Sequence, residues 1–126
     1  MPLPTKHNHS ITLAEASVFT RSYREQGGKD GIKGGMFWKD QVQNILDQPG
    51  CVAMRYYYGR QDDGKPVLVL VGVDVKGRDM LAGVMLEFSY LCPPICDAAN
   101  GLNLEKIRLK DKIARESNAL VELPLE

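Results

Sequence analysis

One stretch, residues 51–74 (CVAMRYYYGRQDDGKPVLVLVGVD), constrains the fold more than any other. Residues 51–59 predict a strand, with alternate side chains on opposite faces. One face carries Val52, Met54, Tyr56 and Tyr58, and the other carries Cys51, Ala53, Arg55 and Tyr57. The Asp-Gly pair at 63–64 is a strong signal for a tight hairpin turn. The second strand, 67–74, is apolar on both faces, which is typical of a strand that is covered on both sides. The stretch therefore predicts a hairpin whose second strand is the centre of a sheet.

Two helices are predicted before this hairpin. The first spans residues 12–26 and begins with the capping-box spacing of Thr12 and Glu15. Its apolar side chains Ala16, Phe19 and Tyr23 recur at helical spacing. The second helix spans 37–48 and ends at a Pro-Gly pair. The glycine-rich segment 27–35 between them predicts a connecting loop, although an anion site before a helix start is an alternative.

The segments after the hairpin predict less regular structure. A third strand is expected within 80–90, a short helical turn over 94–99 and a helix over 103–116. We therefore predict a single α+β domain over 1–126, with two N-terminal helices packed on an antiparallel β-meander of three or more strands. Residues 1–10 are expected to be a loose arm and residues 104–126 a variable tail.

Composition narrows the classes of partner. Lys and Arg together number 16, as do Asp and Glu, so the formal net charge is zero. Nucleic acids and anionic membranes bind through excess positive charge, and we expect neither as a partner. The sequence has no apolar run of membrane-spanning length and no apolar leader at its N-terminus. With three cysteines, an odd number, these features predict a cytoplasmic protein.

The apolar central strand also predicts a partner surface. Two helices cover one face of a sheet, so the other face needs either the 92–126 region or a second copy of the sheet. We therefore expect a homodimer through a sheet face.

The cysteines form the first candidate site. Cys92 and Cys96 are four residues apart around Pro93-Pro94, and Cys51 begins the first hairpin strand. Three thiolates with an imidazole from His7 or His9 suit tetrahedral zinc. A reversible Cys92–Cys96 disulfide is the second interpretation, and three packed cysteines without chemistry are the third. No cofactor is predicted beyond this possible zinc.

Arg55 and Tyr57 form the second candidate site because they share one face of the predicted strand. An arginine beside tyrosines can bind a small ligand, or stack bases in a nucleic-acid-binding sheet. Tyrosines that fill and border a sheet core are the alternative. An enzymatic use of Arg55 and Tyr57 requires a perturbed carboxylate or tyrosine in a pocket beside them.

Four segments resemble an uncharacterised family of small bacterial proteins without an assigned activity. They are QPGC (48–51), RYYYG (55–59), LVLVGVD (68–74) and CPPIC (92–96), and the likeness covers about residues 11–103. The resemblance implies a single small helix-plus-sheet domain and transfers no catalytic residue. Because no catalytic set is recognisable, the leading hypothesis is a non-enzymatic domain that binds a protein or a small ligand. A thiol site at Cys92/Cys96 with Cys51, and a small-ligand enzyme using Arg55 and Tyr57, are the alternatives.

Overall fold

The computed structural model describes residues 3–27 and 29–103. Within these ranges the chain is a mixed α+β protein with two α-helices, a three-stranded antiparallel sheet and a two-stranded sheet. The elements are α1 (Leu13–Gln26), a 3₁₀ turn (Lys29–Gly31), β1 (Gly34–Met36), α2 (Lys39–Leu46), β2 (Cys51–Arg60), β3 (Pro66–Asp74), β4 (Met85–Leu86) and β5 (Tyr90–Cys92). Among the described helices, none is long and apolar enough to cross a membrane.

Helix α1 begins with the predicted capping box. The Thr12 hydroxyl accepts from the Glu15 amide at 3.1 Å, and the Thr12 amide donates to the Glu15 carboxylate at 2.9 Å. Burial of this helix differs from the sequence pattern, because Ser17 is its buried residue and Phe19 is 68% exposed. Helical periodicity located the helix but did not identify the side chains that it buries.

Helix α2 packs against all three strands of the larger sheet. Ile45 of this helix is fully buried, while Trp38 just before the helix is 60% exposed. After the helix, the Gln48 side chain donates to the Ile45 carbonyl at 2.9 Å and accepts from the Val84 amide at 2.7 Å. Gln48 thus joins the end of α2 to the segment that leads into β4.

The larger sheet has the order β2-β3-β4, so the apolar strand lies at its centre as predicted. Tyr57 pairs with Val69 and Arg55 with Val71, and a bulge interrupts the register between Cys51 and Ala53. The β2–β3 turn closes with a bond from the Gln61 amide to the Lys65 carbonyl at 2.9 Å. Gly64 adopts a positive φ of 92° in this turn, a conformation that favours glycine.

The third strand is shorter than predicted, and a second sheet replaces its continuation. Strand β4 covers only Met85–Leu86, and Phe88, with a φ of 26° and 94% exposure, interrupts the extended chain. Strand β5 then pairs antiparallel with β1, which lies at the end of the glycine-rich segment. A Cβ on Gly35 would lie 2.7 Å from the Ser89 hydroxyl oxygen and 3.2 Å from the Ser89 Cβ, so any larger residue in this pairing would require Ser89 to shift. The predicted loop is therefore partly a strand.

The segment after β5 corrects a second expectation. Residues 94–99 form turns and bends instead of a helical turn. The chain here is held by local bonds, among them one from the Ile95 amide to the Leu91 carbonyl at 3.0 Å. Most of the helix predicted over 103–116, and the tail 104–126, lie outside the described residues.

Candidate functional site

Arg55 and Tyr57 lie together on one face of β2, and both contact Asp79. The Arg55 guanidinium donates to one Asp79 carboxylate oxygen at 2.5 Å, and the Tyr57 hydroxyl donates to the other at 2.5 Å. Arg55 also reaches the Gly77 carbonyl at 3.4 Å. One carboxylate therefore holds both predicted site residues, in what we call the Asp79 cluster.

The Asp79 cluster crosses the central strand. Asp79 pairs with Val73 on the side of β3 opposite β2, and antiparallel partners place their side chains on the same face. Its bonds to Arg55 and Tyr57 therefore pass over β3 on the face that carries Val71 and Val73. Both valines are only 2% exposed. The polar cluster thus covers apolar side chains that a second layer of structure usually covers.

The protonation of the cluster follows from its contacts. The pKa of Asp79 is lowered, first because the Tyr57 hydroxyl donates to it and then because Arg55 lies beside it. The pKa of Tyr57 is raised, mainly because its proton is donated to Asp79. The pKa of Arg55 is also raised, mainly by its hydrogen bond to Asp79. Near neutral pH the cluster is therefore an ionised carboxylate between a cation and a neutral phenol. This state suits a structural bond better than proton transfer.

The cysteines divide into a bonded pair and a separate thiol. Cys92 and Cys96 form a disulfide, with their Cα atoms 4.9 Å apart, while Cys51 is free. The Cys51 sulfur lies beside Gly72, since a Cβ there would be 3.1 Å from it, and the Gln48 and Met80 side chains border the same position. The structure therefore joins two of the predicted cysteines to each other.

The zinc hypothesis requires more thiolates than this arrangement provides, because a disulfide sulfur is not a thiolate. Across residues 3–27 and 29–103, no three His, Cys, Asp or Glu side chains are grouped so as to hold a metal ion. His7 and His9 are exposed, and their rings meet edge to face with centroids 4.5 Å apart. The two imidazoles thus contact each other, as their spacing on an extended arm suggests.

An apolar cavity lies between the two sheets. Its volume is about 240 Å³. The main apolar side chains around it are Tyr23, Ile32, Phe37, Tyr58, Leu68 and Leu91. Backbone of Gly34 and Gly35 forms another part of the wall. Because α1, β1, β2, β3 and β5 each contribute, only the assembled fold creates this cavity.

One residue of the cavity wall, Tyr58, belongs to an exposed row of large side chains along β2. Met54 is 40% exposed, Tyr56 is 53% exposed and Tyr58 is 82% exposed. The rings of Tyr56 and Tyr58 meet edge to face, with centroids 5.5 Å apart. Apolar surface that is continuous in this way commonly marks a binding site.

Sequence reasoning missed Asp79 and the cavity, for different reasons. An aspartate near a turn carries no signal of its own, because turns favour Asp, but the register was available: a turn at Gly77 places Asp79 opposite Val73, on the face of Arg55. The lining of the cavity had no comparable signal, because its residues come from distant segments whose approach depends on the β1–β5 pairing.

No family model, curated protein or solved structure matches the chain. The resemblance to small bacterial proteins stays a prediction.

Proposed function

We propose that this chain is a non-enzymatic binding domain whose ligand site is the apolar cavity between its two sheets. One observation carries the proposal: apolar side chains from α1, β2, β3 and β5, together with the backbone of β1, surround a cavity of about 240 Å³. Ligand pockets in proteins are concave and mostly apolar, with few polar groups. A cavity of this size fits a small apolar molecule or an apolar side chain of a partner protein.

The position of both helices supports this assignment. Helix α2 packs on the sheet face that carries Gly72. The support is Gln48, which follows the helix and whose side-chain nitrogen would lie 3.0 Å from a Cβ on Gly72. Tyr58 and Leu68 share this face through the alternation of β2 and β3, and Tyr23 of α1 lines the cavity beside them. We therefore propose that both N-terminal helices lie on the cavity side of the sheet.

Titration with toluene tests the cavity proposal. Amide chemical shifts are followed by NMR on uniformly labelled full-length protein, and we expect saturable shifts confined to the cavity wall, at Ile32, Gly34 and Leu91. Gly34→Leu should weaken binding at least tenfold, because Gly34 lines the cavity and a Cβ there meets no atom within 4 Å. Ala98→Leu adds the same side chain at an exposed position away from the cavity and should bind as wild type. Absence of saturable shifts up to the solubility of toluene would refute the proposal.

A second candidate function is a dithiol–disulfide site, and the Cys92–Cys96 bond is the observation that favours it. Cys96 is exposed, so a reductant or a partner thiol can reach one of the two sulfurs. In a cytoplasm, where glutathione keeps most thiols reduced, the pair would cycle between bonded and free states. The proposed cytoplasmic location and this reversible pair are therefore compatible.

A redox titration checks the second candidate. Full-length protein is equilibrated with glutathione buffers, and the thiols released on reduction are counted. A reversible two-thiol transition within the range of cytoplasmic glutathione supports the redox function. A pair that stays oxidised throughout this range would instead identify a structural disulfide. Cys51→Ser is the control, because it removes the free thiol and should leave the transition unchanged.

A further inference from the structure

Strand β2 has a free edge. It is the first strand in the order β2-β3-β4, and within the described residues β3 is its only strand partner. It is also the longest strand, with ten residues. An unpaired edge presents amide and carbonyl groups that can hydrogen-bond to another strand.

The register identifies the backbone groups on this edge. The Gln61 amide bonds to the Lys65 carbonyl, so residue 61 directs its backbone groups toward the returning strand. Antiparallel bonding alternates along a strand, and residues 59, 57, 55 and 53 therefore also face β3. The bond from the Met80 amide to the Gly72 carbonyl agrees, because it shows that the alternate set on β3 faces β4. Met54, Tyr56 and Tyr58 are left to direct their amides and carbonyls outward.

The one charged residue in the middle of β2, Arg55, is bonded to Asp79 across β3, so the middle of this edge lacks the usual protections. Natural edges carry prolines, lysines, inward-pointing charges or bulges. Here the bulge lies at one end, between Cys51 and Ala53, and Arg60 lies at the other. Between them, the three residues with outward amides also carry the exposed apolar side chains of Met54, Tyr56 and Tyr58. The middle of the edge is thus open in both its backbone and its side chains.

We propose that β2 pairs antiparallel with β2 of a second copy of this chain, about a two-fold axis at Tyr56. Residues with outward backbone groups must face each other, so the registers with the longest overlap place either Tyr56 or Arg55 on the axis. The Arg55 register sets two arginines directly opposite, which is unfavourable. The Tyr56 register sets Tyr56 opposite Tyr56, Met54 opposite Tyr58 and Arg55 opposite Tyr57. Aromatic pairs are favourable across strands, and Arg55, which Asp79 holds on the other side of the strand, faces no like charge in this register.

The partner is a second copy of this chain because β2 complements itself in this register without any like-charge pair. The result is a continuous six-stranded sheet, made from two copies of the described three-stranded sheet. This assembly goes beyond the cavity proposal and does not depend on it. It also replaces contact through a sheet face with contact through a strand edge as the basis of the expected homodimer.

Disulfide trapping tests the register directly. Tyr56→Cys is made in full-length protein carrying Cys51→Ser, which leaves residue 56 as the free thiol beside the Cys92–Cys96 pair. In the proposed register the two Cα atoms at position 56 lie about 5.5 Å apart, within the range of a disulfide. Mild oxidation should therefore give a species of twice 14.0 kDa on a non-reducing gel.

Tyr58→Cys in the same background is the matched control. Position 58 faces Met54 of the second copy, so the two cysteines are four residues apart along the strands, about 14 Å, and should not cross-link. Equal trapping at both positions, or preferential trapping at 58, would overturn the register.

A backbone variant tests the edge itself. Tyr56→Pro removes an amide that points away from β3, the strand partner of β2 within the described residues, whereas Tyr56→Ala keeps the amide and removes the ring. Light scattering should show the proline variant to dimerise at least about tenfold more weakly than the alanine variant, because both central hydrogen bonds are lost. Circular dichroism checks that each variant is folded. A wild-type protein that stays at 14.0 kDa at high concentration would refute the edge dimer. The same mass is expected if residues 104–126 of the same chain, and not a second copy, cover the edge of β2.

Discussion

The two faces of the central strand β3 are buried by different means. On one face, Leu70 is 5% exposed, and helix α2, which carries the fully buried Ile45, packs against the same strand. On the other face, Val71 and Val73 are 2% exposed beneath the Asp79 cluster. One face thus depends on apolar packing, and the other on hydrogen bonds and charge that pass over the strand. The two faces should therefore respond differently to mutation and to pH.

The largest effect is expected on the helix side. Ile45→Ala removes a fully buried side chain and leaves a cavity, and should lower the free energy of unfolding by about 2–5 kcal/mol. Urea denaturation followed by circular dichroism measures this change. Leu46→Ala, at a position that is 42% exposed on the same helix, is the control and should cost much less. Equal losses for the two variants would show that α2 does not bury the sheet as described.

The next effect is expected on the cluster side. Asp79→Asn removes the negative charge that attracts Arg55 and replaces the carboxylate that accepts the Tyr57 hydrogen bond with a neutral amide. The melting temperature should therefore fall, but less than for Ile45→Ala, because hydrogen bonds to charged groups are stronger than neutral ones. Asp62→Asn, at an exposed position in the β2–β3 turn, is the control and should leave the melting temperature near that of wild type. A neutral Asp79→Asn would contradict the covering role of the cluster.

The pH dependence should distinguish the two faces. Because the pKa of Asp79 is lower in the folded protein than its ordinary value, the folded state binds the proton less well than the unfolded state. This stabilisation is complete above the unfolded pKa of about 3.9 and is lost as the pH falls through the folded pKa. Urea midpoints between about pH 6 and pH 2 should converge for wild type and Asp79→Asn at the acidic end. Ile45→Ala should remain displaced from wild type by a constant amount.

The smallest effect is expected from the tyrosine hydroxyl. Tyr57→Phe keeps the ring and the Arg55 bond, so it should destabilise less than Asp79→Asn. Its hydroxyl is the main cause of the lowered pKa of Asp79, and the carboxylate should therefore titrate at a higher pH in this variant. NMR titration of the Asp79 carboxyl carbon measures the change. Tyr58→Phe is the control, since its hydroxyl is not bonded to Asp79, and it should leave that pKa unchanged.

Sequence reasoning was most successful where the determining contacts are local. The capping box of Thr12 and Glu15, the Asp-Gly turn and the double-sided apolar pattern of 67–74 each depend on residues close together in the chain, and each corresponds to an observed element. It failed at Phe88, whose positive φ ends the strand that alternation had extended to Tyr90. It also failed at Phe19, because periodicity shows that a helix has an apolar side but not what that side meets.

The same distinction applies to the candidate site. Arg55 and Tyr57 were placed on one face because alternation is a local property of a strand. Asp79 joined them only through the register of the second turn, which the alternation within β2 does not record, and their use as a ligand site stays a prediction. Cys51 was expected near Cys92, but it lies beside Gly72, while Cys92 belongs to the other sheet.

The hairpin 51–74 and the central position of its second strand were predictable from the sequence, because turn chemistry and apolar pattern act between neighbouring residues. The sequence did not predict what covers each face of β3, how β1 joins β5, or where a cavity remains between the two sheets. These features depend on contacts between segments far apart in the chain. Such contacts are selected by how the whole set of side chains packs, which no local pattern records.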